Sequence, residues 1–198
     1  MDGGDIRTVG WDAEARIGAL LAISFTDDPF VRWLMPDARD LIEDSQRHPR
    51  RAYGAAFDAE TVFVAGDFAG AAVWLPPGKK ADRSDEMEQA APEGGTDRVR
   101  FPPDFPELIA KSAAYCPTEP HWYLGLIAVD PAHRGKGVGA ALMAHCLEIV
   151  DRDGLPAYLE STNRANLSLY ERVGFRALAE VRAGASPPRY PMLREAIR

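Results

Sequence analysis

The chain is poor in cysteine and has no long apolar run, and both absences narrow what it can be. Cys116 and Cys146, its two cysteines, cannot build a disulfide framework, and neither stands at a metal-ligand spacing from the four histidines. A reduced protein with no metal is expected, which fits the cytoplasm. The longest early apolar stretch, residues 17–25, is far short of the ~20 residues of a membrane-spanning helix, so no membrane partner is expected. The start, Met1-Asp2-Gly3-Gly4-Asp5, lacks the basic-then-apolar order of a signal peptide. Basic residues are outnumbered too. A net charge of −7 argues against a nucleic-acid partner and for cationic or neutral substrates. No internal repeat is visible.

What is present is the composition of a soluble globular protein, with 46% hydrophobic and 27% charged residues. At 198 residues, a single domain over 1–198 is expected. Its pattern is α/β. Residues 6–9 read as a short strand, and apolar Ile17, Leu20, Leu21 and Phe25 give a helical stripe over 15–25. The aromatic, proline-bounded stretch 27–37 reads as a loop and short helix on the core, or as a wall of an acceptor pocket. A second helix over 41–57 is bent or bounded by Pro49. Residues 61–65 and 69–75 form a hairpin about Gly66-Asp67-Phe68.

From 76 to 106 the sequence turns to charge, Gly and Pro, and an insertion is expected there, with a helical turn near 84–91. Asp104 then caps a helix through Tyr115. The second half alternates strand and helix: a strand over 122–129, a helix from Gly139 to Asp153-Gly154, a strand over 157–161 and a helix over 163–173. Two β segments, 175–181 and 190–193, close the chain around 184–188.

The most informative stretch is Arg134-Gly135-Lys136-Gly137-Val138-Gly139, between the strand at 122–129 and the next helix. Glycines let backbone N–H groups approach an anion, and a helix start adds unpaired N–H groups with partial positive charge. Arg134 and Lys136 supply full charges, so a pyrophosphate suits the turn better than a lone carboxylate. A flexible surface turn would look similar. Gly135-x-Gly137-x-x-Ala140 also meets a relaxed dinucleotide fingerprint, with Glu160 twenty residues on. The five-residue spacer Asp130 to Arg134 and the short remainder of the chain argue against it. The phosphate-loop pattern of nucleotide hydrolases fails, since Lys136 is followed by Gly137.

Val129-Asp130-Pro131-Ala132-His133-Arg134-Gly135-Lys136-Gly137-Val138-Gly139, followed by Asn163, Asn166 and Leu169-Tyr170-Glu171-Arg172-Val173-Gly174-Phe175, resembles the GNAT family of N-acetyltransferases. The two motifs occur in order and at the usual separation. Close resemblance covers residues 122–181; within it, His121-Trp122-Tyr123-Leu124 and 166–175 look like the antibiotic-acetylating branch typified by puromycin N-acetyltransferase.

The resemblance implies a mixed central sheet flanked by helices, with acetyl-CoA held between two splayed parallel strands, 122–129 and 157–161. It places the pantetheine arm along Ile127, Ala128 and Val129, whose N–H is the expected oxyanion donor. The pyrophosphate goes to the N–H groups of Gly135, Gly137, Val138, Gly139 and Ala140, with Arg134 and Lys136 nearby. Tyr170 matches the general acid that protonates the CoA thiolate. Of Asn163 and Asn166, either or both would bond pantetheine amides, and either can cap the helix. Glu160 is the first candidate for the base, ahead of His121 and Glu119.

The expected reaction is direct transfer from acetyl-CoA to a primary amine of a small molecule, antibiotic-like, a polyamine or an amino acid, with no metal. A protein or peptide amine is a further acceptor class, and the assembly admits a homodimer. An acyl-CoA-binding module without turnover and a nucleotide-dependent oxidoreductase are the alternatives from other classes.

Overall fold

The computed structural model describes residues 5–79 and 101–197. The expected turn at 84–91, and most of the expected insertion, lie outside the described residues. Seven strands form one mixed sheet in the order β1-β2-β3-β4-β5-β7-β6. They are β1 (Ile6–Thr8), β2 (Val62–Ala65), β3 (Gly70–Leu75), β4 (Trp122–Val129), β5 (Ala157–Ser161), β6 (Arg176–Ala177) and β7 (Tyr190–Arg194). β4 and β5 are parallel, and every other pairing is antiparallel.

Helices α1 (Glu14–Ser24) and α3 (Ala38–Asp58) cover one face, packing Ile17, Leu20, Leu21, Ala56 and Phe57 onto Val62, Val64 and Val73. On the other face α5 (Val138–Asp153) brings Leu142, Met143, Cys146 and Val150 onto Phe63, Trp74, Trp122 and Leu159. A third cluster joins α2 (Pro29–Leu34) to α4 (Phe105–Ala113) through Phe30, Leu34, Phe105 and Leu108.

Local sequence explains most boundaries. Asp28 caps α2, accepting from the N–H groups of Phe30 and Val31 at 3.0 Å each, and Pro29 takes the first turn, where its missing N–H costs nothing. α5 stops at Gly154, which takes the left-handed conformation at φ 63°. α3 runs through Pro49, and its non-helical residue is Tyr53, at φ −129° and ψ 19°.

Two expectations are corrected. The helix anticipated over 163–173 is a 3-10 turn, Arg164–Asn166, followed by the short α6 (Leu167–Glu171). The segment after Phe175 is strand only over β6, followed by a bond from the Leu178 N–H to the Pro191 carbonyl at 2.8 Å and a single bridge between Val181 and Arg189. Gly184, Pro187 and Pro188 carry the chain back without the partners a long strand needs.

Candidate active site

The site begins with a break in the sheet. β4 and β5 pair only at Trp122 with Ala157, Tyr123 with Tyr158 and Leu124 with Leu159; beyond Leu124 the strands separate. The cause is one residue later. Against β3, Val73 faces Leu126 and Trp74 faces Leu124, so Gly125 is an extra residue, a β-bulge. The bulge turns the strand over: Trp122 and Leu124 belong to the α5 core, whereas Leu126 and Ala128 belong to the α1–α3 core. Tyr53 fixes it, its hydroxyl donating to the Gly125 carbonyl at 2.7 Å. A Cβ at Gly125 would lie 2.5 Å from the Tyr53 ring, so only glycine fits beneath that ring.

The separated edge of β4 presents backbone groups to the cleft. Asp130 donates its N–H to Ala69, on the β3 side, at 3.0 Å. By the alternation of a strand, the N–H groups of Ala128 and Leu126 point the same way, and those of Ile127 and Val129 point toward β5.

At the far end of β4 lies the glycine turn. Asp130 accepts from the Ala132 N–H at 2.7 Å and starts the 3-10 turn Pro131–His133, which leads into Gly135 at φ 73° and Gly137 at φ 85°. At both positions a side chain would be strained. α5 then opens at Val138 with no side-chain cap and no acidic residue in its first turn, so its N–H groups face out beside Gly139 and Ala140. Arg134 donates to the Ser24 carbonyl at the end of α1, at 2.6 Å, and Ser24 Oγ donates to the Val129 carbonyl at 3.1 Å. Lys136 is exposed on the loop.

A cavity of about 190 Å³ opens at the other end of the cleft. Tyr170 and Asn166 reach it from the α6 region, Glu160 and Ser161 from β5, Ile127 from β4, and Phe30 and Met35 from the segment 27–37. That segment is therefore both folded on the core and a wall. Tyr170 is buried, and burial first, then the nearby negative charge of Asp28, pushes its hydroxyl well above the usual tyrosine range. It is held as a phenol, a proton donor, at any ordinary pH.

Glu160 reaches the cavity but is engaged on both oxygens. Arg189, just before β7, donates to Oε2 at 2.5 Å, and Tyr158 donates to Oε1 at 3.2 Å. Both members of the ion pair are about 95% buried, with side-chain exposures of 5% and 6%. Taking a proton at Glu160 would leave Arg189 as an uncompensated buried cation. His121, the second base candidate, sits at the start of β4, its Nδ1 against the Glu119 carbonyl at 2.8 Å and its Nε2 3.6 Å from Cys116 Sγ. The two asparagines divide: Asn163 accepts from the Ala165 N–H at 2.9 Å as a cap, and Asn166 makes no side-chain cap and lines the cavity.

The GNAT family model matches residues 21–175. The chain belongs to the GNAT family of acetyltransferases. An uncharacterised N-acetyltransferase of Schizosaccharomyces pombe is 33% identical over 123 residues, 58% of this chain and 50% of that protein. The mycothiol acetyltransferase of Brachybacterium faecium is 43% identical over 53 residues, 25% of this chain and 16% of that protein. The matched region thus spans half or less of these curated relatives. Among solved structures, a Corynebacterium glutamicum protein named histone acetyltransferase HPA2 and related acetyltransferase superposes with TM-score 0.68 at 24% identity, covering 98% of this chain and 96% of that one. Arylalkylamine N-acetyltransferase 2 of Aedes aegypti gives 0.68 at 12% identity, covering 96% and 98%. These likenesses are of fold.

In this GNAT chain several contacts around the candidate site have no sign in the sequence. Asp28 is a visible helix cap, but its other oxygen accepts from Thr162 Oγ1 at 2.8 Å and ties α2 to the end of β5. Arg189 stands 29 residues from Glu160 in an irregular stretch, with no local signal. Asp44 and Arg51, paired on α3 at 2.8 Å, look like any solvated helix face in sequence, yet both line the cavity. Among the described residues no group of three or more His, Cys, Asp or Glu is placed to hold a metal ion, and no helix is long and apolar enough to cross a membrane.

Proposed function

We propose that the chain moves an acetyl group from acetyl-CoA to a primary amine of a small molecule, directly, within a ternary complex. The observation that carries this reading is the separation of β4 from β5 beyond Leu124, with the left-handed glycine turn at one end and buried Tyr170 at the other. That cleft fits the cosubstrate. Ile127 and Val129 offer backbone groups on the open edge to the pantetheine amides, whereas the expected contribution of Ala128 is lost because its backbone groups turn to β3; Asn166 faces the edge from the α6 side. Gly135, Gly137, Val138, Gly139 and Ala140 offer N–H groups to the pyrophosphate, with Lys136 and Arg134 adding charge. Asn163, committed to its cap, supports the turn.

Bound acetyl-CoA supplies an activated thioester carbonyl. The Ile127 N–H, on the open edge of β4 where that residue lines the cavity with Tyr170, donates to the oxygen that gains charge as the amine adds, in place of the expected Val129 N–H, which lies at the glycine-turn end beside Gly139. Tyr170 gives its proton to the departing sulfur, a transfer that its burial keeps available. Glu160 orients Arg189 and Tyr158 at the cavity, and the ammonium loses its proton to water rather than to this paired carboxylate. Solved proteins of the same fold named for arylalkylamines, agmatine and polyamines support a small-amine acceptor.

Free-thiol release from acetyl-CoA in the presence of an amine panel tests the reading. Amine-dependent thiol release is expected. CoA binding without release would favour an acyl-CoA-binding module instead.

A further inference from the structure

The acceptor end of the cavity has a definite chemistry. Its walls are apolar and aromatic: Phe30, Leu34, Met35, Phe101, Phe105 and Tyr123. Phe101 stacks on Phe105 with ring centroids 4.7 Å apart, and Phe30 lies 6.4 Å from Phe105, so the wall is a continuous ring surface. Among the described residues, two carboxylates line the cavity, and each already has an arginine. Asp44 Oδ1 accepts from Arg51 at 2.8 Å, and Glu160 Oε2 accepts from Arg189 at 2.5 Å. His48 adds a third group beside Asp44, its Nδ1 3.7 Å from Oδ2. Two carboxylates, Asp44 and Glu160, and two guanidinium groups, Arg51 and Arg189, thus line the cavity.

A substrate with a second ammonium needs a carboxylate free to receive it, since moving a charge from water into such a site costs several kcal/mol. Neither carboxylate is free. A ring, by contrast, gains by burial against these walls, on the order of 25 cal/mol for each Å² removed from water. Resting on the acetyltransferase reading above, we propose that the acceptor is a primary monoamine on an apolar, ring-sized body, and that Arg51, by occupying Asp44, excludes di- and polyamines. Arg51 is thereby a specificity-determining residue placed away from the reacting atoms. Its side chain is 20% exposed and that of Asp44 16%, so the pair is shielded enough to matter.

The test compares kcat/KM, by thiol release, for 2-phenylethylamine and tryptamine against agmatine and spermidine. The wild type is expected to favour the aryl monoamines by about tenfold or more, the scale at which pocket shape and charge discriminate. Arg51→Gln frees the Asp44 carboxylate and is expected to narrow that ratio by about tenfold, which corresponds to roughly 1.4 kcal/mol. Arg51→Lys keeps the charge and is expected to keep the preference. A wild type that favours agmatine or spermidine would overturn the inference and leave the acetyltransferase reading standing. So would an Arg51→Gln protein that is folded by circular dichroism, binds CoA and shows an unchanged ratio. Thiol release with neither class but with other members of an amine panel would overturn the inference alone, and release with no amine of the panel would overturn both.

Discussion

Arg189 and Glu160 form a buried ion pair that joins the approach to β7 to the second splayed strand, with Nη2 and Oε2 2.5 Å apart. Arg189 also lies over the Phe30 ring, its guanidinium carbon 5.0 Å from the centroid, so one side chain connects β5, β7 and the acceptor wall. Glu160→Gln is expected to destabilise the protein by about 3–5 kcal/mol, because it leaves the arginine uncompensated. Replacing both, Glu160→Gln with Arg189→Met, is expected to recover much of that loss. Urea denaturation of the three variants measures the coupling. Glu160→Gln with wild-type stability and a lost acidic limb in its pH–rate profile would instead make Glu160 the base.

Tyr170→Phe keeps the ring and removes the proton. A fall in kcat of about 10²–10⁴, the usual contribution of a general acid, is expected, with affinity for CoA unchanged. Steady-state kinetics and calorimetry separate the two effects. Undiminished turnover in the variant would remove Tyr170 from the chemistry.

The link from Asp28 to Thr162 holds α2 over the cleft. Asp28→Ala deletes a cap as well as the link, and a loss of about 0.5–2 kcal/mol is expected from the cap alone. Thr162→Val deletes only the link, and is expected to raise KM for the amine more than KM for acetyl-CoA. Equal effects on both would mean that the link does not act on the acceptor wall.

Much of the candidate site lies in segments legible before the fold was known, for a physical reason: the glycine turn and the Asn163–Phe175 segment are local, and their residues carry their geometry with them. Gly137 can take its left-handed backbone at no steric cost wherever the chain goes. The strand at 122–129 and the stripe of α5 likewise follow from periodicity. What was not legible depends on contacts across the chain. Nothing near Gly125 announces a bulge, because the ring that demands it, Tyr53, is 72 residues away. Glu160 stands in the sequence reading as the first candidate base, but its partner Arg189 does not, since Arg189 reaches it only through the sheet. The 163–173 helix was overextended because its apolar residues repeat helically while the chain turns at Arg164–Asn166.

Three buried acids set the response to alkali. Burial pushes the Cys146 thiol from 9.0 up to about 12, and raises the hydroxyls of Tyr158 and Tyr170 beyond the ordinary tyrosine range; nearby Glu160 adds to the shift at Tyr158. At alkaline pH the unfolded chain releases these protons first and so binds fewer than the native state. Stability is therefore full below the ordinary thiol range and falls as pH rises from 9 toward 12, by up to about 1.4 kcal/mol per pH unit for each group. Denaturation midpoints across that range check the sign. A flat profile would mean that these groups are hydrated in the native state.

Calorimetric titration with CoA tests the cleft most directly, in the wild type and in Gly137→Val, whose side chain is strained at φ 85° on the turn. Saturable binding of one CoA per chain is expected in the wild type, with a marked loss of affinity in Gly137→Val that leaves the fold intact. No binding at millimolar CoA, or equal binding by both proteins, would contradict the assignment of the β4–β5 cleft and its glycine turn to acetyl-CoA.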